Sequence, residues 1–338
     1  MSQEGSCDHE GCEALVLSPG GREAVMPASA IRVFDDIDDY TTSIRAGQYE
    51  AVIAGRGSFE AKLVRIDLQR LWMQRFTENL PHIARAATSP SRAIVMFTTS
   101  PTAPISWGGR DVTADVVVRV GIGQEAFHCT RGPAQWASLS LPVDDYFATA
   151  AALTHHDVQW KSDGLAVRPS AEALARLRSL HAAAGALAEH APAVLANAET
   201  ARCLEQEIIA AMIASSTEAA EEDKVSVRQH QAILRRFRTL IAANADNPLY
   251  LPEICTALGV SVRTLQRCCH EQLGVSPLRY LWLRRMNMAR RALTASSPGQ
   301  DTVTAIASRY GFWELGRFAT AYRSLFGEAP STTLHRVL

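Results

Sequence analysis

Two segments near the C-terminus of this chain carry the same pattern of apolar residues, glycine and proline. Leu251 to Pro277 reads LPEICTALGVSVRTLQRCCHEQLGVSP, and Val303 to Pro330 reads VTAIASRYGFWELGRFATAYRSLFGEAP. Ile254, Leu258 and Gly259 match Ile306, Tyr310 and Gly311 at an offset of 52 residues. Leu265, Cys269, Gly274 and Pro277 match Phe318, Tyr322, Gly327 and Pro330 at an offset of 53. One residue has therefore been added in the second turn. A helix, a glycine turn and a second helix, written twice, restrict this region to a pair of related helical units.

Each copy reads as a helix-turn-helix. The first helix covers about Leu251–Leu258, with Ile254, Cys255 and Leu258 on one apolar stripe. Gly259 follows, where a left-handed residue can end the helix. Ser261 is placed to cap the second helix. That helix turns Leu265, Cys269 and Leu273 inward and Arg263, Gln266, Arg267 and His270 outward. Long donors on one helix face suit guanine and adenine edges and phosphates. The second copy turns Phe318, Tyr322, Leu325 and Phe326 inward, and Glu314, Arg317, Thr320 and Arg323 outward. The candidate DNA contacts are thus Ser261, Arg263, Thr264, Gln266, Arg267, Glu314, Arg317, Thr320 and Arg323.

Between the copies, Pro277 to about Ala295 reads as one linking helix. Proline suits its first position. Tyr280, Leu281, Leu283, Met286, Met288 and Leu293 supply packing, and Arg284, Arg285, Arg290 and Arg291 supply charge. Arg290 is expected to approach only phosphate or solvent. The helix spans roughly 27 Å, slightly less than the ~34 Å between successive major-groove faces on one side of a duplex. Charge is divided to match. Residues 228–338 hold 15 arginines, no lysine and six acids, a net +9, whereas the first 227 residues carry 19 basic and 29 acidic groups. A basic third joined to an acidic remainder implies a polyanion-binding module on a partner that stays off the polyanion.

The segments LPEICTALGVSVRTLQRCCHEQLGVSPLRYLWLRRMNMARRAL and VTAIASRYGFWELGRFATAYRSLFGEAPS resemble the AraC/XylS family of bacterial transcription regulators over about residues 230–335. Cys269 stands where that family has an aromatic. The resemblance implies two helix-turn-helix subdomains that bind DNA, and an N-terminal domain that senses a small molecule or governs dimerisation. The tail GFWELGRFATAYRSLFGEAPSTTLHR is also similar to regulators of ethanolamine-utilisation operons, without carrying over a ligand.

The expected fold class is α+β. An N-terminal antiparallel β-barrel, a degenerate cupin by family resemblance, carries extra helices and is followed by an all-α domain of two helix-turn-helix subdomains with a linker helix. Residues 1–27 are expected to be a disordered tail, 28–214 a sensing and dimerisation domain (barrel 28–142, helices 143–214), 215–227 a linker and 228–338 the DNA-binding domain. From Ile31 to Leu141 short apolar runs alternate with turn residues, the mark of a small barrel or jelly roll. In SFEAKLVRIDL (Ser58–Leu68) the alternation changes phase, which predicts a β-bulge near Leu63–Val64. Trp72, Trp107 and Trp136 are candidates to line an apolar cavity. The alanine-rich helices from Ser170 to Ala220 look like packing or dimerisation elements. A charge at Leu204 or Ile208 is expected to disturb chain pairing or signalling.

Other chemistry is poorly served. Cys7, Asp8, His9 and Cys12 offer at most three soft ligands without a second pair, and adjacent His155 and His156 point in different directions. His82 and His128 lie in separate strand segments without a neighbouring His-x-His, so neither a metal centre nor a cofactor is expected. No phosphate-binding loop or nucleophile elbow is present. No run of 18 apolar residues predicts a membrane span, and seven cysteines without framework spacing fit a reduced, cytoplasmic protein. The reading is a transcription regulator, not an enzyme. Its partners are duplex promoter DNA, an unidentified small organic effector, a second copy of the chain and, for an activator, RNA polymerase. The alternative is an enzyme or DNA-repair protein with a fused DNA-binding tail, which needs a nucleophile in residues 1–220. Cys129 in FHCTRG is the sole strand-region cysteine, with nothing around it to activate it.

Overall fold

A computed structural model describes residues 28–336 apart from 101–104, 155–157, 159, 161–163, 218–224, 245–248 and 297–300. The predicted tail, the Cys7–Cys12 cluster and His155–Asp157 lie outside the described residues.

Two antiparallel sheets form the N-terminal half. The larger has the order β1 (Ala28–Phe34), β3 (Ala61–Asp67), β4 (Trp72–Glu78), β11 (Ala134–Pro142), β6 (Arg92–Thr98), β9 (Val117–Val120) and β12 (Leu165–Val167). The smaller has β2 (Gly47–Ile53), β5 (His82–Thr88), β10 (Glu125–Thr130), β7 (Ile105–Trp107) and β8 (Arg110–Val112). Their inner faces enclose one core, in which Phe76 and Trp136 stack with ring centroids 3.7 Å apart. Strand β12 lies in the segment read as purely helical. It adds to β9, the neighbour that would otherwise be an edge.

The expected bulge is not there. Strand β3 keeps unbroken register with β1 and β4 from Ala61 to Asp67. The phase change has another cause, since the larger sheet is buried on both faces. Ala61 and Leu63 enter the barrel core, while Val64 and Ile66 enter a second core under α3 (Ala171–His190) and α5 (Ala198–Thr217). A strand covered on both sides loses its polar face and reads as continuous apolar sequence.

The same packing corrects the reading of those helices. Ile208 is fully buried in that second core, and Leu204 is partly buried against it. Glu205 accepts hydrogen bonds from the backbone N–H groups of Arg70 (2.6 Å) and Leu71 (2.9 Å), which ties α5 to the β3–β4 turn. The apolar face of α5 is therefore spent on its own barrel.

Helices α6 (Val225–Ala243), α7 (Leu251–Leu258), α8 (Val262–Leu273), α9 (Pro277–Ala295), α10 (Val303–Arg309), α11 (Leu315–Phe326) and α12 (Pro330–Leu334) form the C-terminal half. Helices α7–α8 and α10–α11 are the two predicted pairs, and α9 has the predicted bounds. Gly259 takes the left-handed conformation at φ 65°, and Ser261 accepts from the Thr264 N–H at 3.1 Å as the cap of α8.

Candidate nucleic-acid interface

The candidate contacts sort cleanly by position on each helix. On α8, Leu265, Cys268, Cys269, Gln272 and Leu273 are buried, and Arg263, Gln266, Arg267 and His270 are exposed. On α11, Phe318, Tyr322, Leu325 and Phe326 are buried, and Arg317, Thr320 and Arg323 are exposed. Cys269 is completely buried, so the small thiol does fill the aromatic's place in the core. Burial pushes the Cys268 thiol up to about 11, with Glu271 adding to the effect, and raises Cys269 further. Both stay neutral, as packing residues must.

Several candidates have partners within the chain. The Ser261 and Thr264 hydroxyls lie 2.9 Å apart, so both serve the cap. Arg267 donates to His230 Nε2 at 3.1 Å, while His230 Nδ1 pairs with Glu271; this network anchors α8 to α6. Glu314 holds Arg317 in a two-point pair, with Nη1 at 3.1 Å from Oε1 and Nε at 2.9 Å from Oε2. Exposed pairs of this kind are worth about 0–1 kcal/mol, so DNA can displace them. Arg263, Gln266 and Arg323 remain exposed on their helices.

Two linker arginines behave differently from the expectation. Arg290 does not approach solvent. It is buried, pairs with Asp36 at 3.3 Å and lies over the Phe326 ring at 5.1 Å. Arg291 binds both oxygens of Asp38 at 2.7–3.0 Å and donates to the Ala51 carbonyl at 2.8 Å. Arg238 of α6 pairs with Glu125 of β10, which Arg85 also holds. These three cations face the acidic half, so part of the +9 charge is spent inside the molecule.

Asn287 completes this contact. Its Oδ1 accepts from the Ile53 N–H at 3.0 Å, and its Nδ2 donates to the Ile53 carbonyl at 3.3 Å. Strand β2 is the end of its sheet, and the amide satisfies backbone groups that an edge leaves open. The Cys129 thiol donates to the Gln272 carbonyl at 3.3 Å, and burial pushes it up to about 12. The one cysteine considered as a nucleophile is therefore a neutral packing group between the barrel and α8. Sequence reading missed Asn287 as an anchor. A signal exists, because Asn287 and Arg290 occupy the stripe of Leu283, Met286 and Leu293. We expect Asn287→Leu to leave both Ile53 groups unpaired at about 1–3 kcal/mol each. Hydrogen exchange at the Ile53 amide should then speed up, with the strands of the larger sheet unaffected.

The three tryptophans do not share one apolar cavity, though Trp107 borders a small pocket with Thr88, Gln124 and Gln231. Trp107 and Trp136 are buried in barrel packing, and Trp72 lies under the Arg92 guanidinium at 3.7 Å. Around Trp136 sits a buried polar group that the sequence spacing did not reveal. Glu78 accepts from the Tyr40 hydroxyl and from Trp136 Nε1 at 3.2 Å, while His82 Nδ1 lies 3.0 Å from Thr130 Oγ1. The His82 and His128 rings are 5.6 Å apart, brought together by neighbouring strands. Among the described residues no three His, Cys, Asp or Glu side chains are grouped to hold a metal ion, and no helix is long and apolar enough to cross a membrane.

Comparison with known proteins places the C-terminal half. Residues 254–336 match the family described as "Helix-turn-helix domain". The chain is 40% identical over 105 residues to the probable thc operon regulatory protein of Rhodococcus erythropolis, covering 31% of this chain and 32% of that one. It is 34% identical over 99 residues to XylDLEGF operon transcriptional activator 2 of Pseudomonas putida, covering 29% of this chain and 63% of that one. The match thus spans between about a third and two thirds of these relatives' length. Among solved structures, a probable AraC family transcriptional regulator from Rhodopseudomonas palustris is 33% identical, with 94% of it and 30% of this chain covered at a TM-score of 0.28. The AraC-like transcriptional activator CuxR is 14% identical, with 100% of it and 83% of this chain covered at a TM-score of 0.43. Residues 254–336 thus form a helix-turn-helix domain, and the C-terminal third of the chain is similar to bacterial transcription regulators and activators of the AraC/XylS kind.

Proposed function

We propose that this protein is a sequence-specific DNA-binding transcription regulator, in which α8 and α11 enter successive major-groove faces of promoter DNA. One observation carries the reading: both helices turn their polar faces outward while their apolar faces are buried. At 19 residues α9 is about 28 Å long, close to one helical turn of duplex. Arg263, Gln266 and Arg267 serve one half of the site, and Glu314, Arg317, Thr320 and Arg323 the other. Ser261 and Thr264 hold the start of α8 against the groove. Activation through RNA polymerase follows from the similarity to the XylDLEGF operon transcriptional activators of Pseudomonas putida. The acidic N-terminal half acts as the control domain, answering a small organic effector or pairing two chains in the cytoplasm. The contacts of Asn287, Arg290 and Arg291 are the route by which a change in the barrel reaches the DNA-binding half.

Binding selection from randomised duplex DNA tests this. Arg263→Ala or Gln266→Ala should relax base preference in one half of the selected site, costing about 1–3 kcal/mol for a lost bidentate contact. Arg323→Ala should act about one helical turn away. Affinity should fall steeply with salt. Loss of preference at the same bases for Arg263 and Arg323 variants, or binding indifferent to salt, would overturn the two-groove reading.

A further inference from the structure

The two recognition helices differ in what they offer a base. At the start of α8 the exposed residues after Val262 are donors: Arg263, Gln266 and Arg267. The aligned start of α11 has Gly316 where α8 has Arg263, and Arg317 there is bound at two points by Glu314. Beside that pair, the start of α11 also exposes apolar side chains. Trp313, in the turn before α11, is 79% exposed and has no exposed apolar counterpart before α8, while Leu315, the first residue of α11, is 38% exposed, like its counterpart Val262 at 40%. Trp313 lies in the turn that carries the added residue of the second copy, the one departure from an otherwise regular repeat.

We propose that Trp313 and Leu315 read thymine methyl groups in the major groove, so that apolar contact adds to the polar readout of the second half of the site. The inference rests on the DNA-binding reading above. Base edges are met by the N-terminal residues of a recognition helix, which is where both side chains stand. Thymine alone presents a methyl group in that groove, and apolar side chains are its natural partners. The occupant must also suit a cationic rim. Arg323 and Thr320 are exposed along the same helix, and Arg285 stands over the Phe312 ring at 5.4 Å beside the turn. An apolar patch framed by cations fits a polyanion that carries methyl groups.

The experiment uses the full-length chain and a duplex selected from a randomised library. Each thymine of that duplex is replaced in turn by deoxyuridine, which removes only the methyl. One or two thymines, about one helical turn from the bases affected by Arg263→Ala, should each lose about fourfold in affinity, the worth of one buried methyl-sized group. Trp313→Ala should abolish that sensitivity, and Trp313→Phe should keep most of it. Trp313 is largely exposed, so the thermal midpoint of both variants should stay close to that of the parent. Among the six tryptophans only Trp313 is highly exposed, so DNA should also protect an iodide-quenchable part of the fluorescence. Deoxyuridine equal to thymine throughout, or sensitivity unchanged in Trp313→Ala, overturns the proposal. Continued iodide access on DNA does the same and leaves this face to a protein partner. Failure of the parent chain to select any sequence is a different result, because it removes the DNA-binding reading itself.

Discussion

Replacing Ile208 with aspartate should unfold the N-terminal half of this protein. Ile208 is fully buried in the core between α5 and the outer face of the seven-stranded sheet. Loss of a buried branched side chain costs about 2–5 kcal/mol. The new carboxyl adds the cost of an unpaired polar group in apolar surroundings, about 1–3 kcal/mol from mutational data. The sum approaches the whole stability of a typical domain, about 5–15 kcal/mol. Leu204→Asp, one turn away and partly exposed, should cost only about 1–2 kcal/mol, since its carboxylate reaches water. Urea unfolding of the two variants separates the outcomes. Equal, small losses, with a change only in chain association, would return α5 to the pairing role its sequence pattern first implied.

Acid should destabilise the protein steeply, through two histidines that the fold keeps neutral. Burial is the main cause at His128, which is pushed well below the usual imidazole range, with His82 adding to the effect. Burial likewise lowers His181 to about 3, assisted by the nearby Arg75 guanidinium. The unfolded chain takes up a proton at each position near pH 6.5, and the folded chain does not. The stabilisation is therefore complete above pH 6.5 and is lost as pH falls below it, at about 1.4 kcal/mol per pH unit for each histidine. Between pH 6.5 and 4.5 the pair should remove about 5 kcal/mol. Carboxylates titrate in the same range, so the informative quantity is the difference between the parent and His181→Leu. The variant should lose about 1.4 kcal/mol less per unit. Parallel pH profiles for parent and variant would show that His181 binds its proton in the folded state.

How much was legible in the sequence depends on the range of the interactions involved. The two helix pairs, the Ser261 cap, the Gly259 turn and the bounds of α9 were all read correctly, because each depends on residues within one or two turns of the chain. The outward position of Arg263, Gln266, Thr320 and Arg323 followed from the same 3.6-residue period. Membership of the sheets was also legible in outline, since short apolar runs between turn residues have few other solutions.

What the pattern did not contain is which faces would be covered, and by what. The phase change in β3 looked like a bulge, because a strand buried on both sides and a strand with an inserted residue give the same alternation. Only the seating of α3 and α5 on the outer face of the sheet separates them, and with it the role of Ile208. Arg290 and Arg291 read only as charge on the linker helix, with Arg290 near phosphate or solvent. They belong instead to Asp36 and Asp38, more than 250 residues earlier in the chain. Asn287 closes the open edge of β2, and Glu78, His82 and His128 converge inside the barrel from strands whose separation in sequence hides them. Local periodicity determined which residues face out of each helix. Long-range packing decided which outward charges were left for DNA, because ion pairs and edge-strand hydrogen bonds form wherever the fold brings complementary groups together, at any distance along the chain.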